Sequence, residues 1–107
     1  MSDHLLVAIS SAQPGREDEF NAWYETVHMG EVLNLPGFVG ARRYEPAQEG
    51  DEPARYMAVY EIEGDADVAM GALMDTVKGG GFTMSDSIDS STVSMVLYRA
   101  RTPRMMR

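Results

Sequence analysis

Apolar residues fall along this chain with two different periods. The run His4-Leu5-Leu6-Val7-Ala8-Ile9-Ser10 has strand length and is closed by Ser, Gln, Pro and Gly. Pro14-Gly15 opens a helix whose first turn carries Glu17, Asp18 and Glu19, carboxylates that favour the positive end of the helix dipole. Phe20, Trp23, Tyr24, Val27, His28 and Glu31 then recur at helical spacing and form one face. Pro36-Gly37 cannot continue that helix, so it ends within residues 28–35. Residues 38–45 read as a second strand, 45–53 as an acidic hairpin loop, and 55–63 as a third strand. Gly64-Asp65 introduces a second helix with Val68, Ala69, Ala72, Leu73 and Val77 on one face, stopped by Gly79, Gly80 and Gly81. Residues 82–91 read as a polar, flexible connection, and 92–101 as the last strand. The order βαββαβ over one domain, residues 1–107, predicts a ferredoxin-like α+β fold. Four antiparallel strands would carry two helices on one face.

Strand parity extends this picture. Strand one sets Leu5, Val7 and Ile9 against Leu6 and Ala8. Strand three sets Tyr56, Ala58, Tyr60 and Ile62 against Met57 and Val59, and strand four sets Val93, Met95 and Leu97 against Val96 and Tyr98. Both sheet faces are therefore apolar, whereas a solvated face should turn polar at every second residue. Two helices cover one face only. Leaving large side chains wet on the other forfeits ~1.5–3 kcal/mol each. A second copy of the chain, related by a two-fold axis, is the economical cover, so a homodimer is expected, with Val7 and Leu97 as candidate partner-facing positions.

Composition narrows the function. The 107 residues carry 17 acidic against 9 basic side chains, for a formal charge of −8. Such a surface repels phosphate backbones and anionic lipid, so neither a nucleic acid nor a membrane is the expected partner. The absence of cysteine removes disulfides, thiolate nucleophiles and Cys-based zinc sites. No apolar run reaches the ~20 residues of a membrane span, and the N-terminal residues lack the basic segment of a secretory signal. A cytoplasmic location is the expectation.

The residues Phe20-Asn21-Ala22-Trp23-Tyr24-Glu25-Thr26-Val27-His28, Glu31-Val32-Leu33, Leu35-Pro36-Gly37-Phe38 and Ala41-Arg42-Arg43-Tyr44 resemble the EthD-like branch of the dimeric α+β barrel proteins. The pattern is an aromatic and a histidine four apart near the end of the first helix, then Pro-Gly and a basic-aromatic strand. The resemblance implies a dimer whose sheets face each other, and a pocket between each sheet and its own helices. It also implies that His28 lines that pocket. The superfamily includes muconolactone-type isomerases, polyketide cyclases, and haem-degrading and cofactor-free monooxygenases, so it implies a fold more narrowly than a reaction.

Few residues here can carry chemistry. His28 lies one helical turn after Tyr24, so a proton can pass between them, and an imidazole's ordinary pKa of about 6.5 suits proton transfer near neutrality. Glu25 and Glu31, each three residues away, are placed to fix its tautomer. The competing role for His28 is a helix-end group that caps carbonyls or sits in solvent. Trp23 offers a wall for a planar substrate, and Phe20 suits the core. His4 shares the parity of Leu6 and Ala8; in cyclases of the superfamily a similar His-Leu turns a histidine to the pocket, while a frayed N-terminal position is the plainer alternative. Arg43 and Arg42 point to opposite faces of strand two. Arg43 either binds an anionic substrate group or pairs with Glu61 or Glu63 of the neighbouring strand. Glu61 has the parity of Met57 and Val59, which allows a buried acid. The glycine triplet is read as a hinge for the loop after it, which would close over a pocket. No spaced ligand set for a metal is present, the asparagine–tryptophan–histidine set of the haem-degrading branch is not evident, and no cofactor is expected.

The expected function is therefore that of a small cofactor-free enzyme of isomerase, cyclase or lyase type. Its ligand would be an aromatic, lactone or polyketide-like molecule, with His28 and Tyr24 catalytic and Trp23, Arg43, His4 and Glu61 binding. A non-catalytic dimeric module that holds a small apolar ligand is the rival, and a monooxygenase or haem-related role a further one.

Overall fold

The computed structural model describes residues 3–50 and 52–107; Met1, Ser2 and Asp51, the last in the acidic hairpin, lie outside them. Strand β1 spans His4–Ala12, and a helical rod follows. The rod begins as α1 (Glu17–Trp23), passes through a π-helical turn at Tyr24–His28 and ends as α2 (Met29–Leu33). Strands β2 (Phe38–Tyr44) and β3 (Tyr56–Ile62), helix α3 (Ala66–Lys78) and strand β4 (Ile88–Arg99) complete the chain. The strands are antiparallel in the order β2-β3-β1-β4. The fold is the expected α+β, ferredoxin-like one.

Cross-strand pairing assigns the two sheet faces. Leu6 lies opposite both Tyr60 and Leu97, and Ala8 opposite Ala58 and Met95, on the face beneath the helices. Phe38 and Arg43, opposite Ile62 and Ala58, share that face. Against it pack Phe20, Trp23, Tyr24 and Val32 from the rod and Ala66, Ala69 and Leu73 from α3, forming one buried core. Val7, Val59 and Val96 form a row on the opposite face, flanked by Leu5, Glu61 and Tyr98. That face is apolar, as parity suggested. Leu97, however, belongs to the helix side, because the β1–β4 register sets it against Leu6, so the pairing of Leu97 with Val7 is corrected to Val96 with Val7.

Helix α3 starts with Asp65, whose carboxylate accepts from the Asp67 and Val68 amides. Its buried stripe is Ala66, Ala69 and Leu73, while Val68 faces solvent, contrary to the face read from the sequence. Small residues let α3 sit close to the sheet. At Gly37, where φ is +88°, an added Cβ would meet the Ala69 Cβ at 3.0 Å, so glycine is needed there for conformation and space together.

The segment read as a polar, flexible connection is tethered at several points, and its last residues belong to a strand. Strand β4 begins at Ile88, and Gln13 N donates to the Ser87 carbonyl at 2.7 Å. Arg16 reaches Asp86 at 2.6 Å, and that hydrogen bond holds the Asp86 carboxyl below its ordinary pKa. Polar side chains here serve as tethers.

Candidate active site

The π-helical turn builds the site. In an α-helix residue i+5 lies about 140° around from residue i, so Trp23 and His28 would point apart. Here the Met29 amide donates to the Tyr24 carbonyl, five residues back, and the widened turn returns His28 over Trp23. The two rings stack, with centroids 4.8 Å apart and planes at 21°. Tyr24 meets the same imidazole edge-on at 5.0 Å, and Phe82 closes its other side at 5.3 Å. Spacing alone foresaw the Tyr24–His28 pair; the Trp23–His28 stack depends on the extra residue in the turn.

His28 is thus enclosed by aromatic rings. Burial lowers its pKa below the ordinary value, with the nearby Glu31 carboxylate opposing the shift, so the imidazole is neutral at pH 7. Its Nδ1 is buried without a hydrogen-bond partner, which leaves Nε2 as the nitrogen open to the cavity. Glu31, expected to orient the ring by hydrogen bonding, instead accepts from the amide and hydroxyl of Thr83, each at 3.0 Å. The Trp23 indole N–H donates to the Thr83 carbonyl at 2.7 Å. Thr83 is gripped from both sides, and this grip holds Phe82 against His28.

The cavity beside these rings measures about 280 Å³. Its walls are Leu6, Ala8, Val32, Leu73, Ile88 and the ring of Tyr60, and its polar groups come from Ser10, Tyr24 and His28. Volume and lining suit a compact, mostly apolar ligand met by a few fixed polar groups. No lining residue carries a positive charge at neutral pH.

Tyr60 is the site residue the sequence reading passed over. Strand parity placed it among core aromatics, and a tyrosine at such a position was the only available signal, since a buried hydroxyl needs a partner. Its hydroxyl is buried; it interacts with the Tyr24 phenol without reaching hydrogen-bond geometry. Burial raises both phenols above their ordinary pKa, Tyr60 more than Tyr24, and the Arg43 cation opposes the rise at both.

The remaining candidates fall elsewhere. Arg43 lies on the helix side of β2, outside the cavity, with its guanidinium carbon 4.3 Å from the Tyr24 ring centroid. It pairs with Glu25 and bonds Asn21, each at 2.9 Å, rather than with Glu61 or Glu63. The helix packed over β2 is closer to its reach than the acids of β3, whose neighbouring position on this face is Ala58. Glu61 is exposed on the opposite face beside Gly40, so it is neither buried nor at the cavity. His4 lies on the helix side but at the far end of β1, in a shallow hollow with Ala66, Asp67 and Leu97. Among the described residues no three His, Asp or Glu side chains converge on a metal position, and no helix is long and apolar enough to cross a membrane.

No protein-family model and no curated protein matches the sequence. Solved structures do match. A haem-degrading protein from Mycobacterium tuberculosis, with two haems bound in its active site, superposes with a TM-score of 0.65 at 17% identity, over 95% of this chain and 99% of that one. The protein HapK from Hahella chejuensis gives 0.58 at 15%, over 97% and 98%. An ethyl tert-butyl ether degradation (EthD) family protein from Bacillus halodurans gives 0.54 at 12%, over 90% and 97%. Near-complete coverage of both partners at such low identity establishes that this chain shares the ferredoxin-like fold of these proteins.

Proposed function

We propose that this protein is a small enzyme that moves a proton on an enolisable aromatic, lactone or polyketide-like molecule held in the cavity beside His28. The observation that carries the proposal is the state of His28. It is a neutral imidazole at an apolar wall, with Nδ1 enclosed and Nε2 free to take a proton. A neutral base in a water-poor cavity needs no desolvation before it acts. Tyr24 stands beside it to bond the carbonyl oxygen where charge develops, and Trp23 and Phe82 fix the imidazole plane. The second, apolar sheet face supports a homodimer, with Val7, Val59 and Val96 in its centre.

A haem does not fit these residues. Its propionates call for cations, and the lining of the cavity has none. The nearly apolar lining favours one second reading, a module that binds a small ligand without turning it over. Mass spectrometry of ligands released from the purified protein identifies the compound, and turnover is then measured with wild type and His28→Ala. Loss of turnover with retained binding is expected. Unaltered turnover in His28→Ala overturns the proposal, and binding without turnover in wild type establishes the module.

A further inference from the structure

We infer that Tyr24 is the proton donor that works with His28, and that Arg43 and Tyr60 are positioning residues that hold the phenolate it leaves. The inference deepens the proton-transfer reading above and rests on it. Three features of the structure converge on Tyr24.

The first is the location of Arg43. Its side chain is only 9% exposed, yet two of its nitrogens, Nε and Nη2, are buried without acceptors. Those N–H groups lie among the rings of Phe20, Tyr24 and Tyr56, whose centroids are 5.4, 4.3 and 5.4 Å from the guanidinium carbon. A cation kept in an aromatic box with three of its five N–H donors unspent is costly by itself. Tyr24 is the ring it approaches most closely, and a positive charge there favours the ionised phenol.

The second is Tyr60. Its hydroxyl is buried against Tyr24 and spends its proton on no acceptor. Once Tyr24 loses its own proton, its oxygen becomes a strong acceptor, and a slight closure completes an O–H···O⁻ bond, the shorter and stronger kind. Tyr60 is thus poised to donate to the phenolate, with no comparable partner while Tyr24 is neutral.

The third is access. Tyr24 lines the cavity, and its ring meets the imidazole of His28 at 5.0 Å. The reaction balances with these groups alone. His28 Nε2 takes a proton from carbon, and Tyr24 gives one to the carbonyl oxygen, leaving an enol between imidazolium and phenolate. Tyr24 then recovers its proton from the enol oxygen as the imidazolium returns one to a conjugated carbon, which shifts the double bond. The product is an isomer, and both residues regain their starting states.

The test needs no substrate. Tyr24 is replaced by 3,5-difluorotyrosine, whose phenol ionises in the neutral range, and its titration is followed by fluorine NMR. The titratable and charged groups around it are Arg43 of β2, Tyr56 and Tyr60 of β3, and Glu25 and His28 of its own rod. A parallel series in His28→Gln removes the coupling to the imidazole. Arg43→Met is expected to move the midpoint upward by about one pH unit, a tenfold loss of acidity, and Tyr60→Phe to move it in the same direction. Tyr60→Phe keeps the packing, so a folding defect in Arg43→Met leaves the question decidable. A midpoint that stays in place in Tyr60→Phe, and in Arg43→Met where that folds, overturns the inference. Because the titration reads Tyr24 alone, it can fail while His28→Ala still abolishes turnover, or succeed where the catalytic reading fails.

Discussion

Trp23 and His28, five positions apart, lie in stacked contact at 4.8 Å because one π-helical turn brings them to the same side of the rod. The chain has a single tryptophan, so this contact has its own optical reporter. An imidazolium quenches indole emission more than a neutral imidazole does. Trp23 fluorescence should therefore fall on acidification with a midpoint below the ordinary histidine value of about 6.5, and the transition should vanish in His28→Gln. A transition that persists in that variant would assign the quenching to another group.

Deleting Thr26, an exposed residue inside the π-turn, should restore α-helical winding and leave His28 four residues after Trp23, about 40° around the rod and still on its side. The variant should fold, since Thr26 contributes only a surface hydroxyl bonded to the Ala22 carbonyl. Its fluorescence should keep the acid transition, because the deletion removes only the residue that the wider turn accommodates. Loss of that transition would show that the stack needs the wider geometry of the π-turn itself.

Burial of His28 also makes stability depend on pH. Its folded pKa is lowered, so below about 6.5 the unfolded chain binds a proton that the folded chain does not. Stability should therefore fall as pH drops from about 6.5 toward the folded value. Urea unfolding at a series of pH values should show a shallower slope for His28→Gln than for wild type in that window. Equal slopes would mean that the imidazole is solvated in both states.

The two sheet faces give opposite expectations for two similar substitutions. Val7→Asp places a carboxylate in the centre of the face assigned to the partner copy and should leave a monomer by light scattering at micromolar concentration. Leu97→Asp lies on the helix side and should leave the dimer intact. A wild-type monomer would remove the basis for both.

How far the sequence disclosed this molecule varies with the range of the interactions involved. Each strand could be read from its own apolar residues, and each helix from its spacing and its glycine stops. Which residue of β4 faces which residue of β1 was not readable, because register is set between strands distant in sequence and is shifted by an irregularity between Ile9 and Ser11. Arg43 was correctly expected to need a carboxylate, but that carboxylate comes from Glu25 on a helix that crosses β2 only in the folded chain. Tyr60 was hidden because a strand tyrosine reads as core, and the function suggested for it lies in one hydroxyl. The π-turn leaves no local mark at all. His28 and Tyr24 were legible as a pair, yet the imidazole's aromatic enclosure comes from a stack and a loop that no spacing rule describes.

Thr83 is held by its carbonyl and its amide, the former by Trp23 and the latter by Glu31. Both are main-chain groups that nearly every amino acid possesses. The loop over His28 can therefore drift in sequence at position 83 while keeping its closure, and only proline, which lacks the amide, would unfasten one side. Selection can retune the mouth of the cavity by changing the side chains of this loop without rebuilding what holds it shut. New ligands then become reachable through substitutions that leave the histidine and its aromatic surroundings untouched.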